Sequence, residues 1–123
     1  MIGTYRFLRT RNGVTAFARV ELEATPDEQW TLEWSPAARE LRAEYEEDVR
    51  AGVESARSAH ESRGGGPARM VVLRVIESPV DTTSDAMTCA AAKAAWAALG
   101  QDQNRARLRH DGVRWVVDFD AIG

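Results

Sequence analysis

The chain has 123 residues, 44% of them hydrophobic and 28% charged, with a formal net charge of −3 and one cysteine, Cys89. That length suits a single domain around one core. A lone cysteine excludes an internal disulfide and fits a reducing cytoplasm, and the acidic balance argues against a generic nucleic-acid binder. No apolar run approaches the roughly 20 residues needed to span a bilayer, and residues 1–6 lack the basic and apolar regions of a signal peptide. One cytoplasmic domain over residues 1–123, with no membrane partner, is the expectation.

Charge is unevenly spread. From residue 1 to 20 the only charged side chains are Arg6, Arg9, Arg11 and Arg19, and from 104 to 114 Arg105, Arg107, Arg109 and Arg114 face Asp111 alone. The stretch between Glu21 and Glu61 is strongly acidic. Solvated strand faces account for most such charge runs, yet two basic segments far apart in sequence can meet in a fold.

Residues 5–9 alternate as a short strand, and Asn12-Gly13 is a turn signal because both residues tolerate positive φ. Residues 14–24 alternate again, with Phe17, Val20, Leu22 and Ala24 read as one apolar face. After a turn at Thr25-Pro26-Asp27-Glu28, Trp30, Leu32 and Trp34 form a period-2 face over residues 29–34. A meander of three antiparallel strands is expected.

Ser35-Pro36 stops the third strand, and proline suits a first helical turn. Leu41, Tyr45, Val49, Val53 and Ala56 then recur as one helical stripe, with Gly52 beside it. A glycine inside a helix costs about 1 kcal/mol against alanine, which close backbone packing would offset. Gly64-Gly65-Gly66-Pro67 ends this helix.

The run Met70, Val71, Val72, Leu73, Val75 and Ile76 within residues 68–77 reads as the most buried strand, covered on both faces or central, with Arg74 the exception. Thr82 and Asp85 have the spacing of a capping box before an alanine-rich helix over residues 84–99, stopped by Gly100. The tail reads as residues 106–109, a turn at His110-Asp111-Gly112, and residues 113–119, a C-terminal hairpin. The expected class is α+β: three antiparallel strands, then helix–strand–helix and a hairpin, with two helices on one face of a mixed sheet.

Catalytic signatures are weak. Gly64-Gly65-Gly66 precedes a strand, whereas a phosphate loop follows one and opens a helix. No paired Cys-x-x-Cys or His-Glu-x-x-His suggests a metal site. Cys89 with His60 or His110 would make a nucleophile and base, but a thiol inside an alanine-rich helix is commonly a packing residue. Asp118 and Asp120 share a face of a regular strand, where solvated aspartates are commoner than an acid–base pair. The four tryptophans, Trp30, Trp34, Trp96 and Trp115, are core candidates first, with Trp30 or Trp115 the candidate interface anchors. No catalytic residue, cofactor or metal is expected.

The run Glu44-Tyr45-x-x-x-Val49-x-x-Gly52-Val53 resembles the Glu-Tyr-(three)-Val-(two)-Gly-Ile run of domain IV of translation elongation factor G, also found in the tetracycline-resistance ribosome-protection proteins. Val80-Asp81-Thr82-Thr83-Ser84-Asp85-Ala86-Met87 resembles the start of that domain's second helix, residues 68–76 its hydrophobic strand, and Arg19-Val20-Glu21-Leu22 the strand after its first tip loop. The resemblance covers about residues 17–100. It implies a sheet with two helices on one face and a tip that meets the ribosome, with tip-loop counterparts at residues 9–15 and 78–81. The chain departs from the family in lacking the GTPase domain, the histidine before Val-Asp and the glycine-rich first loop, so translocation by this chain is not expected unless another chain supplies the GTPase.

The leading expectation is a non-catalytic binding module for the ribosome or RNA, with Arg9, Arg11, Arg105, Arg107 and Arg109 as the nucleic-acid-binding candidates. The alternative is a protein-interaction or self-associating domain, in which an edge strand pairs with a partner or a second copy. An enzyme on a similar α/β fold is the third reading, and fold alone does not carry it.

Overall fold

Asn12 and Gly13 adopt φ of 52° and 77°, the positive values that reverse a chain without splaying its strands. The computed structural model, which describes residues 1–119, accordingly opens on a long hairpin. β1 (Ile2–Arg11) pairs antiparallel with β2 (Val14–Pro26), from Arg11 opposite Val14 to Ile2 opposite Glu23.

The third strand corrects the expected meander. β3 (Thr31–Trp34) runs opposite to β2 but is not its neighbour, because β4 (Ala68–Ile76) lies between them. β4 is antiparallel to β2 and parallel to β3, giving the order β1-β2-β4-β3. Period-2 alternation reports which face a side chain takes, and says nothing of which strand lies alongside. The crossover that a parallel neighbour requires is α1 (Arg42–Ser62), entered through one 3-10 turn, Arg39–Leu41, so Leu41 precedes the helix it was expected to begin.

α2 (Ser84–Ala98) is capped by Thr83, whose Oγ1 accepts from the Ala86 amide at 3.3 Å. The expected cap, Thr82, instead donates its hydroxyl to the Phe17 carbonyl at 2.7 Å. A hydroxyl one residue outside a helix is free to tie the incoming loop to the sheet, and here it does. β5 (Ala106–His110) and β6 (Trp115–Phe119) form a separate two-stranded sheet.

The molecule is an α+β fold in which two helices pack against a mixed four-stranded sheet, with a small second sheet alongside. The inner face of the large sheet carries Phe7, Ala16, Ala18, Val20, Leu22, Ala24, Met70 and Val72, all buried. Tyr45, Val49, Gly52, Val53 and Ala56 of α1 are buried as their spacing predicts. α2 is buried on almost every side, since it has the sheet beneath it, α1 along one flank and the hairpin along the other. Its alanines permit that approach from all directions.

The other face of the sheet is charged. Phe17, expected with Val20 and Leu22, lies on this face, where the Arg6 guanidinium sits 5.8 Å from its ring centroid. Glu21 stands opposite Arg74, and Glu33 pairs with Arg69. β4 therefore owes its apolar run to a central position, with Ala68, Met70 and Val72 buried while Val71 and Leu73 stay partly exposed. Among the described residues, no helix is long and apolar enough to cross a membrane.

Candidate nucleic-acid interface at the loop end

Three turns meet at one end of the molecule: Asn12-Gly13 between β1 and β2, residues 77–83 between β4 and α2, and residues 111–114 between β5 and β6. Their meeting is built by hydrogen bonds. The Phe17 amide donates to the Asp81 carbonyl at 3.0 Å, and Thr82 Oγ1 accepts from the Ser78 amide at 2.8 Å while donating to Phe17. The second loop is thereby laced to the start of β2.

Asp85 holds the third turn. Its carboxylate accepts from the Trp115 amide at 2.8 Å and the Ala86 amide at 2.9 Å, and takes the Thr83 hydroxyl as well. A carboxylate in the first turn of a helix also suits the helix dipole. Asp85→Ala is therefore expected to cost about 2 kcal/mol and to speed hydrogen exchange at the Trp115 amide more than at core amides such as Val20. Equal protection of Trp115 in the variant would show that Asp85 does not anchor the hairpin.

The structure brings the two arginine-bearing segments side by side. The Phe7 and Trp115 rings meet edge to face with centroids 5.7 Å apart. The Gln103 side-chain amide donates to the Thr4 carbonyl at 3.0 Å, and Lys93 Nζ donates to the Ala106 carbonyl at 2.7 Å while lying 4.7 Å from the Tyr5 ring centroid. Arg11 and His110 line one small hollow with Trp115. Arg9 reaches the Tyr5 hydroxyl at 3.5 Å, on the ring that Lys93 also approaches, so Arg9 stands at this seam. Burial first, and then the Arg9 charge, push the Lys93 pKa below its ordinary value.

The candidate arginines differ in their surroundings. Arg105 ends the 3-10 turn Gln103–Arg105 that leads into β5. Arg107 and Arg109 are exposed and alternate with Ala106, Leu108 and His110, which turn inward. Arg109 already grips a carboxylate: its Nε lies 2.6 Å from one Asp118 oxygen and its terminal nitrogen 3.3 Å from the other. That contact holds the Asp118 carboxyl below the usual carboxylate range. Asp118 is thus an ion-pair partner, and Asp120 lies outside the described residues.

Three residues of this end escaped the sequence reading. Val14, Val80 and Val113 are 67%, 91% and 86% exposed, one on each turn. Each directly follows a turn residue, Gly13, Pro79 or Gly112. Of the tryptophans, Trp115 is spent on Phe7 and His110, and Trp30 lies against His60 under the Arg57 guanidinium.

Cys89 is buried, and burial, helped by the Asp85 charge, pushes its thiol up to about 12. The folded state therefore holds the proton more tightly than the unfolded chain, whose thiol titrates near about 8.5. This contribution is complete below that value and is lost as pH rises toward the folded value. Denaturant unfolding from pH 7 to 10 is expected to show wild type losing stability relative to Cys89→Ala; a constant difference would contradict the buried neutral thiol. Among the described residues, no three His, Cys, Asp or Glu side chains gather where they could hold a metal ion.

No family model matches the chain, and no curated protein matches it. Solved structures do. One, the crystal structure of a protein from Thermus thermophilus, superposes with a TM-score of 0.68 at 19% identity, over 80% of this chain. The matched region is 15% of that protein's length. At this identity the likeness establishes the fold.

Proposed function

We propose that the chain is a non-catalytic binding module that contacts RNA, in a translation-related setting such as the ribosome, through its loop end. The observation that carries this reading is the side-by-side arrangement of β1 and the β5–β6 hairpin, which sets Arg9 and Arg11 near the strand bearing Arg107 and Arg109. Phosphates need cations, and Arg9 and Arg11 supply them at this end, beside an Arg109 that is shared with Asp118. The exposed Val14, Val80 and Val113 add apolar contacts to sugars or splayed bases. The resemblance to domain IV of elongation factor G supports the same end, since its tip-loop counterparts, residues 9–15 and 78–81, both belong to it. The acidic excess lies largely on α1, where Glu46, Glu54 and Glu61 are engaged by Arg42, Arg50 and Arg57.

Filter binding of a structured RNA hairpin across a salt series tests the proposal. Retention at low salt is expected, with affinity falling as salt rises on a log–log slope of about −2 to −4. The double variant Arg9→Ala/Arg11→Ala is expected to flatten that slope by about 2. No retention at the lowest salt, or an unchanged slope in the double variant, would overturn it.

A further inference from the structure

The hairpin leaves one of its edges open over a groove. Around the 111–114 turn the Asp111 amide donates to the Arg114 carbonyl at 3.1 Å, which sets the alternation of the ladder. Arg109 with Val116, and Arg107 with Asp118, are then the pairs that exchange hydrogen bonds. The amides and carbonyls of Trp115 and Val117 point the other way, off the free edge of β6. The Trp115 amide confirms the direction, because it is the one that reaches Asp85.

That edge faces a groove of about 560 Å³. α2 supplies its floor with Thr88, Cys89 and Ala92, α1 its far wall with Ala51 and Ser55, and residues 113–117 its near wall. The lining side chains of both helices are small, which leaves room for a backbone. β6 has five residues, and a strand of that length spans about 17 Å.

The other long edge of the molecule is partly covered. On β1 the outward carbonyls of Thr4 and Leu8 are taken by the Gln103 amide at 3.0 Å and the Arg9 guanidinium at 2.9 Å. These are the devices by which proteins blunt an edge. On β6, Asp85 occupies only the first position, and no backbone partner meets Val117 beyond β5 among the described residues.

We propose that the β6 edge and this groove bind an extended peptide by strand addition, with a lysine or arginine of the peptide at the loop end. The charge of the groove selects that chemistry. Its loop end holds Asp85 and, through the Ser84 hydroxyl, Asp48. Arg114 is the cation of the lining, and the Asp111 carboxylate next to it accepts the Arg114 backbone amide at 2.9 Å and feels the Arg114 charge, so three carboxylates stand against one guanidinium. The mouth is left net negative, complementary to a basic residue. The peptide amides and carbonyls would pair with Val117, and its alternate side chains, small ones, would enter over Thr88 and Ala92.

The test uses the whole chain, labelled with 15N, and a capped six-residue peptide alternating valine and threonine behind one terminal lysine. Shifts are expected at Thr88, Ser55 and residues 113–117. Affinity is expected to fall about tenfold when the peptide's edge amides are N-methylated, since two hydrogen bonds are lost, and to fall likewise when glutamate replaces the lysine. Ser55→Trp, at an exposed position, fills the groove without entering the core and is expected to abolish the shifts. Absence of shifts at millimolar peptide, or equal binding of the N-methylated peptide, would overturn the proposal. So would shifts at the same residues on raising protein concentration without peptide, because the occupant would then be a second copy. These readouts do not depend on RNA, so they stand or fall apart from the loop-end reading.

Discussion

Trp96→Ala is expected to lower the unfolding free energy by about 3–5 kcal/mol, the range for removing a fully buried large aromatic. Trp96 is 0% exposed and is among the largest fully buried side chains. Its ring lies 4.8 Å from that of Phe119, and the Arg63 guanidinium sits 5.6 Å from its centroid. Its Nε1 donates to the Asp102 carbonyl at 2.8 Å. The residue therefore joins α2 to the segment that leads into β5 and to the end of β6. Trp96→Phe keeps most of the volume and removes the donor, so about 1–2 kcal/mol is expected from it. Denaturant unfolding checks both. A loss below about 1 kcal/mol for Trp96→Ala would mean that the hairpin is not part of the core.

The second large effect concerns two glycines under α2. In an ordinary helix Gly→Ala is stabilising by about 1 kcal/mol. At Gly52 the sign is expected to reverse. A Cβ there would stand 2.3 Å from the Thr88 carbonyl oxygen and 2.8 Å from the Ala92 amide nitrogen. Both are backbone atoms of α2, so no rotamer can relieve the contact and the helices must part. Gly3 meets the same helix from the sheet side, with a Cβ 2.0 Å from the Ala94 carbonyl oxygen and 2.4 Å from the Ala98 amide nitrogen. Each Gly→Ala change is expected to destabilise by about 3 kcal/mol. Gly66→Ala is the control, since nothing lies within 4 Å of its Cβ. If Gly52→Ala melted no lower than Gly66→Ala, the close crossing of α1 and α2 would be wrong.

Local features of the fold were legible where one residue type decides them. The Asn12-Gly13 turn and the α1 stripe from Tyr45 to Ala56 follow from φ preference and period, and the start of α2 at Ser84 was legible to the residue although its cap is Thr83 and not Thr82. Gly52, which breaks helix propensity, marked a close contact before any neighbour was known. Long-range choices were not legible. Nothing in Trp30-Thr31-Leu32-Glu33-Trp34 says that its ladder partner is β4, far along the chain beyond α1, because the alternation is the same beside either strand. A β-bulge between Glu21 and Leu22 shifts the register of β2 against β4, and no turn residue announces it.

The candidate interface was half legible. Charge counting singled out Arg9, Arg11, Arg105, Arg107 and Arg109 as candidates, but not that Asp118 answers Arg109 across the hairpin, which depends on the β5–β6 register. That the two arginine-bearing segments adjoin required Lys93, Gln103 and Trp115, residues whose roles are set by tertiary contact. The exposed valines were hidden because a single apolar residue beside a turn resembles the first residue of a strand.

Chemical-shift mapping of the 15N-labelled chain with a structured RNA hairpin at low salt decides whether the loop end is the binding surface. Shifts are expected to cluster at residues 9–15, 78–82 and 109–114 and to fade together as salt is raised. Shifts confined to the charged outer face of the sheet, at Arg6, Arg19 and Arg74, or none at all, would contradict the reading.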